Sequence, residues 1–121
     1  ATLSPSASFF LKLGKFAPAR KMIEAGVVST LGSDTDPGGG LSSSMPFALA
    51  LACFGMGLSL EQALSAATIG GPQAWVWRTG GEYRGRKRAD LIVRNTDRLL
   101  DLVRAGPNPA SRVDAAGRLA V

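Results

Sequence analysis

Hydrophobic and polar positions alternate along this chain in short blocks cut by glycine and proline. Residues 1–3 read as the tail of a strand. Ser4-Pro5-Ser6 reads as a break, because a proline pushes the residue before it away from the helical region. Phe9, Phe10, Leu11 and Leu13 form an apolar patch that stops at Gly14. Residues 19–25 predict a short helix with Pro18 in its first turn. Met22 and Ile23 point inward, Arg20, Lys21 and Glu24 outward, and Gly26 caps the end. Residues 27–31, Val-Val-Ser-Thr-Leu, predict a buried strand that runs into Gly32-Ser33-Asp34-Thr35-Asp36-Pro37 and three consecutive glycines. Helix, glycine, strand and loop make half of a βαβ unit, so the expected context is a parallel sheet.

Beyond the glycines the period changes. Residues 45–56 predict an apolar helix, with Ser44 as N-cap and Pro46 in the first turn. Ser59-Leu60-Glu61-Gln62 is a capping box that opens a second helix, residues 60–69, whose inward face is Ala63, Leu64, Ala67 and Thr68. Gly70-Gly71-Pro72 breaks it. Residues 37–60 carry no charge, but the apolar part, residues 45–60, is shorter than the ~20 residues a membrane span needs. From residue 80 the texture becomes polar and β-like. A basic turn, Arg84 to Arg88, feeds a strand at 89–93, residues 97–103 cross over, and 112–115 and 118–121 predict two edge strands. The pattern as a whole is α/β, followed by small antiparallel β structure.

Composition narrows the chemistry. The 121 residues suffice for one domain and are 45% hydrophobic and 19% charged, a globular balance. The net charge of +5 permits an anionic partner without requiring one. The basic cluster has only Tyr83 as an aromatic neighbour and no nucleic-acid motif, so it reads as a solvated turn. Trp75 and Trp77 read as sealing a core edge. The single cysteine, Cys53, lies in an apolar run and reads as a structural thiol in a reducing compartment. There is no histidine. The chain therefore cannot build a His-rich zinc site or a Ser-His-Asp triad from its own residues.

What remains as candidate chemistry is the loop after the predicted strand. Asp34 and Asp36 stand at its mouth, followed by Gly38 and Gly39. A carboxylate there can serve as a hard metal ligand or a general base. The glycines let backbone N–H groups approach an anionic substrate group. A plain strand-to-loop exit, with Asp and Gly as turn formers, uses the same residues. A calcium loop is disfavoured by the missing distal ligands, and a phosphate loop by the absence of Gly-Lys-Ser/Thr.

Taken in order, the motifs resemble the C-terminal third of an amidohydrolase-superfamily enzyme, most closely the imidazolonepropionase family. Leu-Ser-Pro-Ser-Ala-Ser-Phe-Phe-Leu at residues 3–11 is similar to the seventh barrel strand and its exit. Ser33-Asp34-Thr35-Asp36-Pro37-Gly38 resembles the family's Thr-Asp-Cys-Asn-Pro-Gly after the eighth strand. Residues 48–68 resemble the helical region that follows. Lys87-Arg88-Ala89-Asp90-Leu91 resembles the superfamily's Gly-Lys-x-Ala-Asp-Leu, and Gly106-Pro107-Asn108 with Val113, Gly117 and Arg118 its closing segment.

The resemblance implies the last strands and helices of a metal-dependent hydrolase (β/α)8 barrel over residues 1–79. Residues 80–121 would supply strands of a small accessory β domain. It implies Asp34 as catalytic residue and ligand of a divalent zinc or iron, with Asp36, Gly38 and Gly39 holding substrate. The implied reaction is hydrolysis of 4-imidazolone-5-propanoate to N-formimino-L-glutamate in histidine degradation. The implied enzyme is cytoplasmic, with a small-molecule substrate and neither nucleic acid nor membrane as partner, and a homodimeric parent stays open. Departures accompany it. Asp36 replaces an amide, Gly39 a threonine, Gly70-Gly71-Pro72 the usual Asn-Ala-Ala, and Arg86 a glycine, which leaves another cyclic amide or amidine open as substrate. Lacking histidine and an initiator Met, the chain is expected to be an incomplete, inactive fragment. The alternative is a non-catalytic α/β binding module with an anion-binding glycine loop.

Overall fold

The computed structural model describes residues 1–35, 39–71, 90–104, 110–115 and 118–119. Its first strand, β1 (Thr2–Leu3), runs directly into helix α1 (Pro5–Phe10). The expected break at Ser4-Pro5-Ser6 is instead a helix start. Proline at the first helical position forfeits no intrahelical hydrogen bond, and its fixed φ already suits the helix. Pro5 and Ser6 are fully buried.

Helix α2 (Ala19–Glu24) follows. Ala19 is completely buried, Met22 and Ile23 pack against the core, and Arg20, Lys21 and Glu24 are exposed. The chain then returns as β2 (Thr30–Leu31), parallel to β1 in the register Thr2↔Thr30 and Leu3↔Leu31. The Thr30 N–H donates to the Ala1 carbonyl at 2.8 Å and the Gly32 N–H to the Leu3 carbonyl at 3.0 Å. Strand, helices and parallel strand make the expected βαβ-type unit. The strand is shorter than its apolar run: Val27 and Val28 precede β2 and are exposed, while the Val28 carbonyl accepts from the Ala1 amino group.

Helix α3 (Met45–Phe54) is capped by Ser44, whose hydroxyl accepts the Phe47 N–H at 3.3 Å. Helix α4 (Leu60–Ala67) opens with a complete capping box. The Gln62 N–H reaches the Ser59 hydroxyl at 3.2 Å, and the Gln62 side-chain oxygen accepts the Ser59 N–H at 2.9 Å. The two helices pack on each other, and the buried residues of both are mostly small, Ala48 and Ala52 in α3 and Ala63 and Ala66 in α4. The inward face of α4 differs from expectation in its last turn. Ala66 is buried while Thr68 is exposed and turns its hydroxyl back to the Leu64 carbonyl at 2.8 Å. Just beyond, Gly70 lies so close to β2 that an added Cβ would collide with the Ser29 carbonyl. The segment after α4 and the residue before β2 therefore touch through backbone there, which only glycine permits.

The remaining described elements are β3 (Leu91–Arg94), a 3-10 turn (Leu99–Leu102), β4 (Ala110–Ala115) and β5 (Arg118–Leu119). They form an antiparallel three-stranded sheet in the order β3-β4-β5, with a bulge between Val93 and Arg94. The segment expected as two edge strands is thus one central strand, β4, and one edge strand, β5. Leu102 belongs to the core formed by Leu3, Leu31, Leu49, Met56 and Leu58, and Val103 packs against it. The expected boundary at residues 79/80, the basic cluster, both tryptophans and Gly106-Pro107-Asn108 lie outside the described residues.

Candidate functional site

Asp34 sits three residues beyond the end of β2, on the side toward which both parallel strands point. Its side chain is exposed and its backbone is left-handed, with φ 53°. Aspartate is among the few non-glycine residues enriched in that region. The loop it opens is closed by its own carbonyl, which accepts the Gly40 N–H at 2.9 Å, and Thr35 and Gly40 form an isolated parallel bridge.

Of the other expected site residues, Gly39 is described and Asp36 and Gly38 lie outside the described residues. Gly39 has φ 89°, and the position a Cβ would take is 3.1 Å from the Leu11 Cδ1. Gly40 is more constrained still. A Cβ there would collide with the Ser33 carbonyl oxygen and lie 2.7 Å from that of Asp34. Gly40 was legible as the third member of the glycine run but had no assigned role. Leu11 carried no sequence signal toward the loop.

The loop's outgoing limb leads to α3, and α3 is fastened to α1 by aromatic rings. Phe47 meets Phe9 edge-on, with centroids 5.6 Å apart, and Phe10 at 5.8 Å. Phe9 and Phe10 also meet edge-on at 5.3 Å. The end of α1 therefore touches the loop region at Gly39 and again at Phe47. Cys53 is away from this end of α3. Burial, and secondarily the negative charge of Glu61, push its thiol above the ordinary range. It is held protonated, as a structural thiol should be.

A metal centre needs several donors. Among the described residues no three His, Cys, Asp or Glu side chains gather to hold an ion, and the chain contains no histidine. Asp34 suits one oxygen ligand, but these residues do not compose a metal site alone.

The sequence profile of the Amidohydrolase family matches residues 12–115. The chain belongs to the amidohydrolase family. It is 45% identical over 95 residues to the imidazolonepropionase of Porphyromonas gingivalis, an overlap covering 77% of this chain and 22% of that protein. It is 40% identical over 119 residues to that of Cutibacterium acnes, covering 98% of this chain and 30% of that one. The chain thus spans less than a third of the length of these curated relatives.

Two solved structures share its fold. Escherichia coli guanine deaminase superposes with a TM-score of 0.78 at 22% identity, covering 98% of this chain and 32% of that one. A triazine hydrolase variant superposes with a TM-score of 0.83 at 22% identity, covering 99% and 30%. The fold is that of the metal-dependent hydrolases. Among the described residues no helix is long and apolar enough to cross a membrane.

Proposed function

We propose that this amidohydrolase-family chain is the C-terminal part of an enzyme that hydrolyses a cyclic C–N bond, and specifically of an imidazolonepropionase. Its substrate is then 4-imidazolone-5-propanoate and its product N-formimino-L-glutamate, in cytoplasmic histidine degradation. In this reading β1 and β2 are the last two strands of a (β/α)8 barrel and the antiparallel strands belong to an accessory β domain. A divalent zinc or iron is included, its other donors lying outside this chain. The observation that carries the reading is the coincidence of two facts. Imidazolonepropionases match this chain at 40% identity over nearly its whole length. Among the described residues, the one carboxylate just past the C-terminal ends of the two parallel strands is Asp34. That mouth is where barrel enzymes do their chemistry. The family match weighs against a non-catalytic binding module.

Asp34 has the chemistry for one task this chain can perform, accepting a proton from the attacking water while lending negative charge to the site. Ring opening by water needs such a base near the reacting carbon.

The test uses the complete protein in which this segment resides. Asp34→Ala should remove hydrolysis of imidazolone propionate, followed as formation of N-formimino-L-glutamate by mass spectrometry. Near-normal turnover would exclude Asp34 from the reaction. The same assay reads the substrate. Asp36→Asn should lower KM severalfold if, as the resemblance implies, position 36 holds substrate, because it removes a charge of the same sign as the propionate. An unchanged KM in that variant, with turnover of an uncharged lactam by the native protein, would shift the substrate to another cyclic amide.

A further inference from the structure

We propose that Leu11 is a positioning residue for the Asp34 loop. It lies just past α1, as the residue that caps that helix. Its Cδ1, Cδ2 and Cγ atoms are 3.1, 3.3 and 3.3 Å from where a Cβ on Gly39 would stand. The isobutyl group thus packs directly on the Gly39 backbone and fills the volume that a side chain at position 39 would occupy. One residue further, the Gly40 N–H donates to the Asp34 carbonyl at 2.9 Å. A hold on Gly39 is passed through this bond to the backbone of Asp34, which stands at a left-handed φ of 53°.

Leu11 is itself fixed. The turn after α1 is a Schellman motif. The Leu13 N–H reaches the Ser8 carbonyl at 3.1 Å and the Lys12 N–H the Phe9 carbonyl at 3.1 Å, with Lys12 at φ 53°. The neighbouring Phe9 and Phe10 grip Phe47 at the start of α3. The end of α1 therefore clamps the loop's return limb at two points, and Leu11 is the point nearer Asp34. Leu11 is still 56% exposed. Its apolar contact with Gly39 is a local contact and lies outside the main core, so trimming it should disturb the loop before the fold.

The catalytic consequence rests on the role proposed above for Asp34; the hold on the loop does not. The experiment measures both in the complete protein, comparing Leu11→Ala, Leu11→Met and Leu11→Val with the native sequence. Site-resolved hydrogen exchange of the Gly40 amide reads the hold. Metal content, melting temperature, kcat and KM read the consequence. In Leu11→Ala the Gly40 amide should exchange about tenfold faster, and kcat should fall about tenfold with KM within about twofold. Metal content and melting temperature should stay near native. Leu11→Met, close in volume, should restore both readouts. Leu11→Val, a smaller truncation that tests the point if the alanine variant fails to fold, should shift them in the same direction by less.

Unchanged Gly40 exchange in Leu11→Ala or Leu11→Val overturns the proposal. So does a fall in kcat matched by loss of metal and of melting temperature, which would make Leu11 only a stabilising contact. If the native protein shows no hydrolysis, the proposed function fails on its own, and Gly40 exchange still decides whether Leu11 holds the loop.

Discussion

Two helices in this chain end in the same hydrogen-bonding pattern with different residues at the left-handed position. After α2 the Val27 N–H bonds the Met22 carbonyl at 3.0 Å and the Gly26 N–H the Ile23 carbonyl at 2.9 Å, with Gly26 at φ 79°. After α1 the equivalent position is Lys12 at φ 53°. A Cβ on Gly26 would meet nothing within 4 Å, so Gly26→Ala isolates the conformational cost. It should destabilise the fold by about 1 kcal/mol. Lys12→Gly should do the reverse, stabilising by up to about 1 kcal/mol, since glycine removes the strain but adds unfolded-state entropy. Urea titration of both variants checks the pair. Equal effects in the same direction would show that φ is not what the two turns have in common. A lysine tolerated in a strained turn beside Leu11 and the Asp34 loop fits the tendency of strain to gather near functional segments.

At the scale of elements, α4 owes its start to a reciprocal cap. Ser59→Ala leaves the Gln62 N–H without its acceptor and should cost about 1 kcal/mol near neutral pH. Glu61, in the first turn, is held below the usual carboxylate range, first by its backbone hydrogen bond and then by the Ser59 hydroxyl. A lowered folded value means that its contribution is present above the unfolded pKa and fades as pH falls through the folded one. The Ser59→Ala deficit should therefore narrow in acid. Urea unfolding at neutral and acid pH measures it, and a deficit that widens in acid would count against the Ser59–Glu61 bond. This cap was legible in the sequence because every partner lies within four residues. So were Ser44 capping α3 and Gly26 ending α2. What escaped depended on partners far along the chain. Val27 and Val28 have strand composition, but they precede β2 and are exposed. Pro5 was readable as a break or a start, and only the burial of Pro5 and Ser6 decides it. Asp34 stood out by its place at a strand end. Leu11 and Gly40 acquire roles only through backbone angles and a contact between α1 and the loop.

The whole molecule carries more apolar surface than its own core uses. Among the described residues the parallel sheet has two strands, each paired on one edge only, and Val28, Leu41 and Phe54 are 52%, 81% and 79% exposed. Helix α3 carries no charge on any face, a composition suited to burial within a larger protein. The same elements superpose on about a third of two hydrolase chains. An open sheet edge beside exposed apolar side chains invites association. The net charge of +5 opposes it by self-repulsion. The 121-residue polypeptide prepared alone should therefore bind a hydrophobic dye strongly, where the complete protein binds little. Its self-association should rise with salt, because at about 0.1 M ionic strength the screening length falls to about 10 Å and charges further apart no longer repel. Dye fluorescence and light scattering across a salt series measure both effects. A monomer that melts cooperatively, ignores the dye and is indifferent to salt would mean that this surface needs no cover, and would remove the physical reason for assigning the chain to a larger barrel.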